Sequence, residues 1–566
     1  MHHDDRHPLQ RAVCELDRDL LMLLQRRHNL LARMGGHAGH ISPTEEKALR
    51  EAWQAASARV SNDPRLASQF FMLLQDMRFY QQAAQKGEDA DVEALRDLTL
   101  RQAFNLAPAR SPVSVNLHAP LDNFTTCAWL LLAAASGQRT RLDPCLVCDP
   151  QLHFMRALEL MGAAIFRDGD TLGTDPAALM GAPDKSLHMG DGAASFFLLL
   201  GHYVMRPSRV RFSAENTLKS LDMTAVMHAL PALGARLTPV VPKASAFPLR
   251  LECSGHVPGT WAVPADVPND FVRGILLAAP FAAAPITVDL SAHAGHRHIL
   301  AYTMPILRAA QANITEHDAT RLTITPGPLS IPEAPEVPLD VDLCSFVVAL
   351  PLVLGGSVRL AGRWPGTPKG QTIADTLTAC GLDMQIGADS VTARAEQTLA
   401  FGEVDGLTQT PTAQPLASTL APLVTALAAC AALEGGKGRL PVHLGEDATA
   451  FVHSVGLAQD SGGDLSLRGP QGNRPVVWSA PTPRWALALA LTACARERTN
   501  QGFKLGNPGI IKDLWPAFWS LYNGLPHPGK PRERERDQQH RPGNSAHRRI
   551  RTRSAAVLPP EITDDD

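Results

Sequence analysis

The sequence repeats one pattern six times between residues 112 and 527. Each unit begins with an apolar stretch of helical length, which stops at small residues and leads into a short β-rich run. In most units a second helix-like segment follows. The units span about 60–80 residues, whereas solenoid repeats usually span about 20–50 residues. The leading apolar helices are predicted at 127–136, 193–203, 271–281, 343–354, 416–433 and 485–495.

Six such units predict an α/β (α+β) fold of two lobes, because helices and sheets in this alternation bury their apolar faces against one another. We expect residues 125–318 to form the lobe of units one to three. Residues 319–527, together with the first strand at 112–124, are expected to form the lobe of units four to six. A cleft between two lobes is a common place for a small-molecule site.

Composition narrows the class of partner. The chain has 566 residues, a net charge of -3 and 5% aromatic residues, which argues against nucleic-acid binding. Nine cysteines in a chain of this length are typical of reduced, buried thiols, and the polar N-terminal segment does not predict a signal peptide. The most apolar run, 416–433, contains hydroxyl residues and is interpreted as a buried helix. We therefore expect a cytoplasmic protein that binds neither nucleic acid nor membrane.

The two ends of the chain differ from the repeats. Helix-like segments fill residues 9–85, and we assign residues 1–88 to a small all-α domain and residues 89–111 to a linker. Three helices bury little apolar surface by themselves, so a homodimer through them is expected. Residues 528–566 are rich in Pro and Arg and poor in large apolar residues, which predicts a disordered tail.

Four segments of the repeat region resemble the 5-enolpyruvylshikimate-3-phosphate (EPSP) synthase family. They are FVRGILLAAP, VPLDVDLCSFVVALPL, PRWALALAL and NPGIIKDLWPAFW, which occur in the order and at the unit positions of the family's motifs. The N-terminal segments LDRDLLMLLQRRHNLLARM and FMLLQDMRFYQQA resemble the small all-α chorismate mutases. Chorismate is made from EPSP, so each resemblance supports the other.

The resemblance implies transfer of an enolpyruvyl group from phosphoenolpyruvate to shikimate 3-phosphate, without a metal or an organic cofactor. It implies that Asp340 acts as acid/base with Glu446 as partner, and that Arg484 and Lys512 hold phosphoenolpyruvate. Such a site needs cations for the two anions and carboxylates to move protons. Asp340 and Asp342 have an alternative interpretation as N-caps of the following helix.

The first lobe would hold shikimate 3-phosphate, and it departs from the family pattern. The family's lysine falls at Asp122, its serine at Asn123 and its arginine at Cys127. Lost cations could be replaced by nearby basic residues such as Arg273. The positions that the resemblance assigns to this lobe's site are Asp122, Asn123, Asp191, Lys219 and Asp270.

Two other functions stay open at this point. Loss of the lysine and arginines is typical of an impaired pseudo-transferase that scaffolds or regulates aromatic biosynthesis. An acidic first-lobe site is also consistent with a transferase that uses a different, less anionic acceptor. Cys145 and Cys148 form an isolated CxxC pair, which without a second pair does not predict a metal site.

The helical domain keeps part of a mutase site. Arg27, Glu46 and Gln81 match substrate-binding positions of the chorismate mutases, whereas an expected lysine falls at Ala38 and an expected arginine at Glu45. A dianion such as chorismate would lack counter-charge there. We expect a dimerisation or regulatory module with little or no mutase activity.

Overall fold

The computed structural model describes most of the repeat region. The described residues are 103–106, 111–177, 180–181, 185–240, 247–395, 414–436, 438–440, 445–468, 476–495 and 503–526, together with positions 22, 23, 49, 52, 53 and 55. The helical domain predicted at 1–88 lies outside these residues except for the six isolated positions, and the tail predicted at 528–566 lies wholly outside. Arg27, Glu46 and Gln81 are therefore outside the described residues.

Twenty-one strands and fifteen α-helices alternate along the described chain. The strands are β1 Phe104–Leu106, β2 Val113–His118, β3 Thr140–Leu142, β4 Ala164–Asp168, β5 Thr171–Asp175, β6 Leu187–His188, β7 Pro207–Ser213, β8 Ala235–Pro239, β9 Leu249–Ser254, β10 Thr260–Ala262, β11 Ile286–Asp289, β12 Asn313–Glu316, β13 Arg321–Thr325, β14 Gly356–Ala361, β15 Asp383–Ile386, β16 Ser390–Ala395, β17 Gly438–Arg439, β18 Leu457–Gln459, β19 Asp464–Leu467, β20 Val476–Trp478 and β21 Phe503–Leu505. The helices are α1 Asn123–Ser136, α2 Asp149–Leu160, α3 Ala193–Val204, α4 Asn216–Lys219, α5 Thr224–Ala229, α6 Asn269–Ala278, α7 His296–Ala309, α8 Val341–Val348, α9 Leu350–Leu354, α10 Pro368–Ala379, α11 Gln414–Leu433, α12 Glu446–Ser454, α13 Pro483–Thr492, α14 Gly509–Lys512 and α15 Phe518–Gly524.

The strands form six small sheets, one for each repeat of the sequence. Three of the sheets share one design, with the orders β6-β7-β9-β8, β10-β11-β13-β12 and β2-β14-β16-β15. In each, a parallel pair is followed by an antiparallel hairpin. Strand β2 pairs in parallel with β14, so the first strand of the repeat region joins the sheet of the fourth unit.

The chain divides into two compact units. One unit comprises residues 1–105, 474–479 and 503–508, and the sheet β1-β21-β20 is built from its strands, with β1 reaching one residue beyond it. The other unit comprises residues 106–473, 480–502 and 509–566 and contains the other five sheets. Within this larger unit we call residues 123–325 the first half and residues 341–473, 480–502 and 509–526 the second half.

The leading helices of the first half are buried on every side, because their sequences are apolar all round. Helix α1 buries 12 of its 14 residues, and α3 buries 10 of its 12. Helix α3 packs on α6 at a point where two glycines face each other: a Cβ on Gly201 would lie 2.3 Å from the carbonyl carbon of Gly274. Any side chain here would force the helices apart, so the two glycines permit this close approach of α3 and α6.

Two short connecting segments, 120–122 and 338–340, cross between the halves and pair with each other. Leu121 and Leu339 form an isolated antiparallel bridge. The Asp122 N–H donates to the Pro338 carbonyl at 2.8 Å, and the Asp340 N–H donates to the Pro120 carbonyl at 2.9 Å. Each segment then enters a buried helix, α1 or α8, so the two helices begin side by side.

No helix among the described residues is long and apolar enough to cross a membrane.

Candidate active site

The start of α8 carries two carboxylates with different tasks. Asp340 is the N-cap: its Oδ1 accepts hydrogen bonds from the backbone N–H groups of Asp342 (2.9 Å) and Leu343 (3.2 Å). This bond satisfies donors that a helix start leaves without partners. The capping interpretation of Asp340 is thus confirmed, whereas Asp342 lies in the first turn and points its carboxylate elsewhere.

Asp342 holds two cations that come from different helices. The Lys369 Nζ, at the start of α10, lies 2.5 Å from Asp342 Oδ1, and Arg484, at the start of α13, donates to Asp342 Oδ2. Burial alone would raise the pKa of Asp342, but Arg484 and Lys369 hold it below its ordinary value. Lys369 is 7% exposed, which is unusual for an amino group unless it is paired. The cluster thus places two cations beside one carboxylate that stays ionised.

Asp340 experiences the opposite electrostatic environment. Burial raises the pKa of its carboxyl to about 7, and the negative charges of Asp342 and Asp122 add to the effect. Arg484 and Lys369 oppose the shift without cancelling it. A carboxyl that titrates near neutrality can both give and take a proton at physiological pH.

Asp122 occupies the equivalent place at the start of α1. Its Oδ1 accepts from the backbone N–H of Thr125 at 2.8 Å and from the Thr125 hydroxyl at 2.6 Å. Burial raises the pKa of this carboxyl in spite of these bonds and of the nearby charge of Arg273. Two carboxyls with raised pKa values therefore begin the two helices that follow the connecting segments.

Arg273, on α6, is the buried cation of the first half. Its guanidinium forms an ion pair with Asp270 at 2.6 Å and lies over the rings of Phe124 (4.3 Å) and Tyr302 (4.9 Å). Its Nε is buried and has no hydrogen-bond partner among the described residues. Burial, followed by the charges of Arg273 and Lys369, lowers the pKa of His298 to about 4, so this imidazole is neutral at pH 7.

Neutral side chains line the start of α1 next to Asp122. The Cys127 Sγ lies 3.6 Å from Asn123 Oδ1 and 3.6 Å from Ser195 Oγ, and the Cys148 Sγ lies 3.9 Å from the same Asn123 oxygen. Burial raises the pKa of Cys148 to about 12, and it also raises the pKa of Cys127 well above its ordinary value. Both thiols are therefore neutral at pH 7.

The structure gathers some of the predicted site residues and separates others. Asp122, Asp340 and Arg484 meet in the cluster, and Asn123 and Asp270 border it through the contacts above. Asp191 instead accepts a hydrogen bond from the Leu218 backbone N–H at 2.7 Å. Lys219 and Glu446 are exposed at the end of α4 and at the start of α12, and the side chain of Lys512 lies outside the described residues.

Sequence reasoning missed Lys369, His298 and Tyr302, and it gave Asp342 only a capping role. One signal pointed to Lys369: Thr367 caps a helix that then places a lysine in its first turn. A cation there faces the positive end of the helix dipole, which is unfavourable unless an anion lies nearby. His298 and Tyr302 lie on α7 without a comparable signal in the sequence.

The fold is that of the enolpyruvyl transferases. A solved EPSP synthase from Acinetobacter baumannii matches with a TM-score of 0.59 at 17% identity, over 75% of this chain and 98% of that chain. The enolpyruvyl transferase NikO from Streptomyces tendae matches with a TM-score of 0.53 at 17% identity, over 73% of this chain and 94% of that chain. The predicted α/β fold of the enolpyruvyl transferases is confirmed.

The sequence comparison is more specific. The family described as EPSP synthase (3-phosphoshikimate 1-carboxyvinyltransferase) matches residues 108–519. A 3-phosphoshikimate 1-carboxyvinyltransferase from Bordetella avium is 23% identical over 70% of this chain and 92% of that protein. One from Methanoculleus marisnigri is 26% identical over 73% of this chain and 97% of that protein. The chain belongs to the EPSP synthase family, as the resemblance predicted.

Proposed function

We propose that the protein transfers the enolpyruvyl group of phosphoenolpyruvate to a hydroxyl of shikimate 3-phosphate, as the names of its relatives state for those proteins. The observation that carries the proposal is the cluster at the start of α8. There a carboxyl with a pKa of about 7, Asp340, lies beside two cations held by one carboxylate, Asp342. Acid/base chemistry on an anionic substrate needs this combination.

Arg484 and Lys369 would hold the phosphoenolpyruvate anion. Both lie in the first turn of a helix, where backbone N–H groups also point toward an anion. Asp342 fixes the two cations before the ligand arrives, which lowers the entropy lost on binding. Lys512, on the resemblance, would add a third cation.

Asp340 would take the proton of the acceptor hydroxyl while the oxygen of that hydroxyl attacks C2 of phosphoenolpyruvate. A second group must protonate C3, so that the addition gives a tetrahedral intermediate with a methyl group. Loss of a methyl proton and departure of phosphate then give the enolpyruvyl ether. Glu446 is the partner that the resemblance implies, and it lies exposed on α12.

A second candidate differs only in the acceptor. The start of α1 offers Asn123, Cys127 and Ser195, which are neutral hydrogen-bonding groups, and Arg273 is already paired with Asp270. Neutral groups fit a hydroxyl compound better than a phosphate dianion. This observation favours an acceptor that carries less negative charge.

Three further proposals concern the pathway, the N-terminal helices and the location of the protein. The activity would belong to chorismate and aromatic amino acid biosynthesis. The N-terminal helices would serve as a dimerisation or regulatory module. A cytoplasmic location is supported by the eight described cysteines, all of which are free thiols.

The test is phosphate release by the full-length protein from phosphoenolpyruvate, with either shikimate 3-phosphate or shikimate as acceptor. Turnover with the phosphorylated acceptor that Asp340→Ala abolishes would support the leading function. Turnover with shikimate alone would support the second candidate. Absence of turnover with both acceptors, without a thermal shift from phosphoenolpyruvate, would refute both functions and leave the pseudo-transferase.

A further inference from the structure

Asp122 and Asp340 are placed alike by the fold. The segments that precede them pair in antiparallel fashion through Leu121 and Leu339, with reciprocal hydrogen bonds of 2.8 and 2.9 Å at the aspartates' own N–H groups. Each aspartate then caps a buried helix. The local geometry thus brings two equivalent carboxyls to the junction of the two halves of the molecule.

Neither carboxyl has a cation of its own among the described residues. The nearby cations are committed elsewhere, because Arg273 pairs with Asp270 and both Lys369 and Arg484 pair with Asp342. Within the described part of the chain, Asp122 and Asp340 accept side-chain hydrogen bonds through one oxygen each, from the starts of their helices. Their second oxygens are left for a proton or a ligand.

The proposed reaction needs two proton-transfer groups, and the partner that the resemblance implies for Asp340, Glu446, is solvent-exposed. Glu446 lies at the exposed start of α12, whereas proton transfer at C3 of phosphoenolpyruvate needs a group within hydrogen-bond reach of the bound substrate. Asp122 starts its helix beside Asp340 and is partly buried.

We propose that Asp122 is the second catalytic residue of the reaction: it protonates C3 of phosphoenolpyruvate while Asp340 accepts the proton of the acceptor hydroxyl. This inference rests on the proposed function and deepens it. The family's lysine at this position is an aspartate here, so the role follows from the arrangement in this chain.

Protons and electrons balance over the two steps of the proposed reaction. In the addition step the acceptor oxygen bonds to C2, the C2–C3 π electrons take the Asp122 proton at C3, and the hydroxyl proton passes to Asp340. In the elimination step the Asp122 carboxylate removes a methyl proton, the C2=C3 bond re-forms and the C2–O bond to phosphate breaks. Asp340 gives its proton to the departing phosphate, and both carboxyls return to their initial states.

Charged and titratable groups from seven helices surround the pair and set its protonation. Burial is the largest cause that raises the pKa values of both carboxyls, and the negative charge of Asp342 raises both further. Arg273 lowers the pKa of Asp122, and Arg484 and Lys369 lower that of Asp340. The groups that face the pair are Arg273 on α6, His298 and Tyr302 on α7, Asp342 and Cys344 on α8, Lys369 on α10, Arg484 on α13, Cys127 on α1 and Cys148 at the start of α2.

The experiment compares Asp122→Asn with wild type and with Asp222→Asn in the full-length protein. Asn keeps an oxygen for the helix cap, so the fold should survive. Asp222 is a matched control, because its exposed carboxylate accepts from the N–H and hydroxyl of Thr224 just as Asp122 accepts from Thr125. The readouts are the incorporation of solvent deuterium at C3 of phosphoenolpyruvate in the presence of acceptor, kcat, and the KM for phosphoenolpyruvate.

We expect Asp122→Asn to lower both the deuterium exchange and kcat at least about 100-fold, with the KM for phosphoenolpyruvate within about threefold of wild type. One limb of the pH profile of kcat should also be lost, which a merely structural role would not cause. Asp222→Asn should behave as wild type. Exchange that survives Asp122→Asn, or a loss confined to KM, would overturn the proposal, as would exchange that Glu446→Gln alone abolishes.

A titration separates failure of this inference from failure of the proposed function. Asp122 and Asp340 hold one proton between them, and the reaction starts from the state in which Asp122 carries it. Loss of this last proton leaves two negative charges side by side. In protein labelled with ¹³C at aspartate Cγ, Asp122→Asn removes one of these charges, so the Asp340 titration should move to lower pH. This shift does not need turnover. An unchanged Asp340 titration would refute the pair even in an active enzyme, whereas a clear shift in an inactive protein would refute only the reaction.

Discussion

The starts of α1 and α8 are built alike and carry different chemistry. Both helices follow the paired connecting segments, both are capped by an aspartate and both are almost fully buried. At α8 the cap is followed by Asp342, which gathers Lys369 and Arg484 from two other helices. At α1 the cap is followed by Asn123 and neutral thiol and hydroxyl groups. Equivalent backbone positions have thus become an ionic site in one half and a neutral site in the other.

This difference teaches that the fold and the site are separable. Helix packing in the first half is tight, and the glycine contact between α3 and α6 leaves no room for change. The polar ends of the same helices bear little of this packing, so their charges can be replaced at little cost to the core. A protein of this family can therefore keep its scaffold while the ligand it accepts changes.

The largest effect is expected from Asp342→Ala, which removes the anion of the second half. Lys369 and Arg484 would be left close together and uncompensated, so we expect a loss of about 3 kcal/mol in the free energy of unfolding. Inorganic phosphate should restore part of the loss. Urea unfolding with and without phosphate measures both effects, and Asp375→Ala, at an exposed position on α10, is the control. An unchanged free energy of unfolding would show that Asp342 is not needed to compensate the charges of Lys369 and Arg484.

Next comes the pH dependence of Asp340→Asn. The pKa of Asp340 is raised to about 7 in the folded protein, so wild type loses stability as pH rises from about 4, the unfolded value, to about 7. Asn has no such loss and still caps the helix. Asp340→Asn should therefore gain on the order of 2 kcal/mol over wild type between pH 5 and pH 8.

Urea unfolding at the two pH values measures this gain. Asp222→Asn is the control: hydrogen bonds from Thr224 lower the pKa of Asp222, so its carboxylate is ionised in the folded and the unfolded protein at both pH values. The stability difference between Asp222→Asn and wild type should therefore be the same at pH 5 and pH 8. A gain in Asp340→Asn that is the same at pH 5 and pH 8 would contradict the assignment of the raised pKa.

The packing of the first half is tested by Gly274→Ala. The new Cβ would lie 2.2 Å from the carbonyl oxygen of Phe197, so the helices must separate at a cost of about 2 kcal/mol. Thermal or urea unfolding measures the loss. Gly259→Ala is the control, because a Cβ there meets nothing within 4 Å. Equal stability of the two variants would show that the α3–α6 contact is not tight.

Lys369→Met tests whether the second half binds phosphoenolpyruvate, the substrate that both candidate functions share. Loss of a buried cation from an anion site should raise the KM for phosphoenolpyruvate about 10-fold or more, with a smaller change in the KM for the acceptor. Lys185→Met removes an exposed lysine of the first half and should change neither value. A larger effect on the acceptor would reverse the assignment of the two halves.

The smallest effect is expected from Asp270→Asn, which frees Arg273 in the first half. An unpaired Arg273 should bind an anionic acceptor a few-fold more tightly, since its guanidinium no longer has to leave a carboxylate 2.6 Å away. Calorimetry with shikimate 3-phosphate measures the change, and Asp289→Asn, which frees the exposed Arg321, is the control. Weaker binding would mean that Asp270 positions Arg273 for the acceptor.

Sequence alone predicted the repeat, the family and the residues that share a family register. Apolar helices such as 127–136 and short β-rich runs are patterns of neighbouring residues, so they can be recognised from the sequence alone. Asp340 and Arg484 were found because the segments around them keep the family's order.

Only the tertiary structure decided which charges act together. Asp342, Lys369 and Arg484 are separated by 27 to 142 residues along the chain, and nothing in their local sequences links them. The interaction of charges depends on distance in space and on the water removed around them. For the same reason the sequence could identify Asp122 as a departure from the family, whereas its place beside Asp340 required the paired connecting segments of the folded protein.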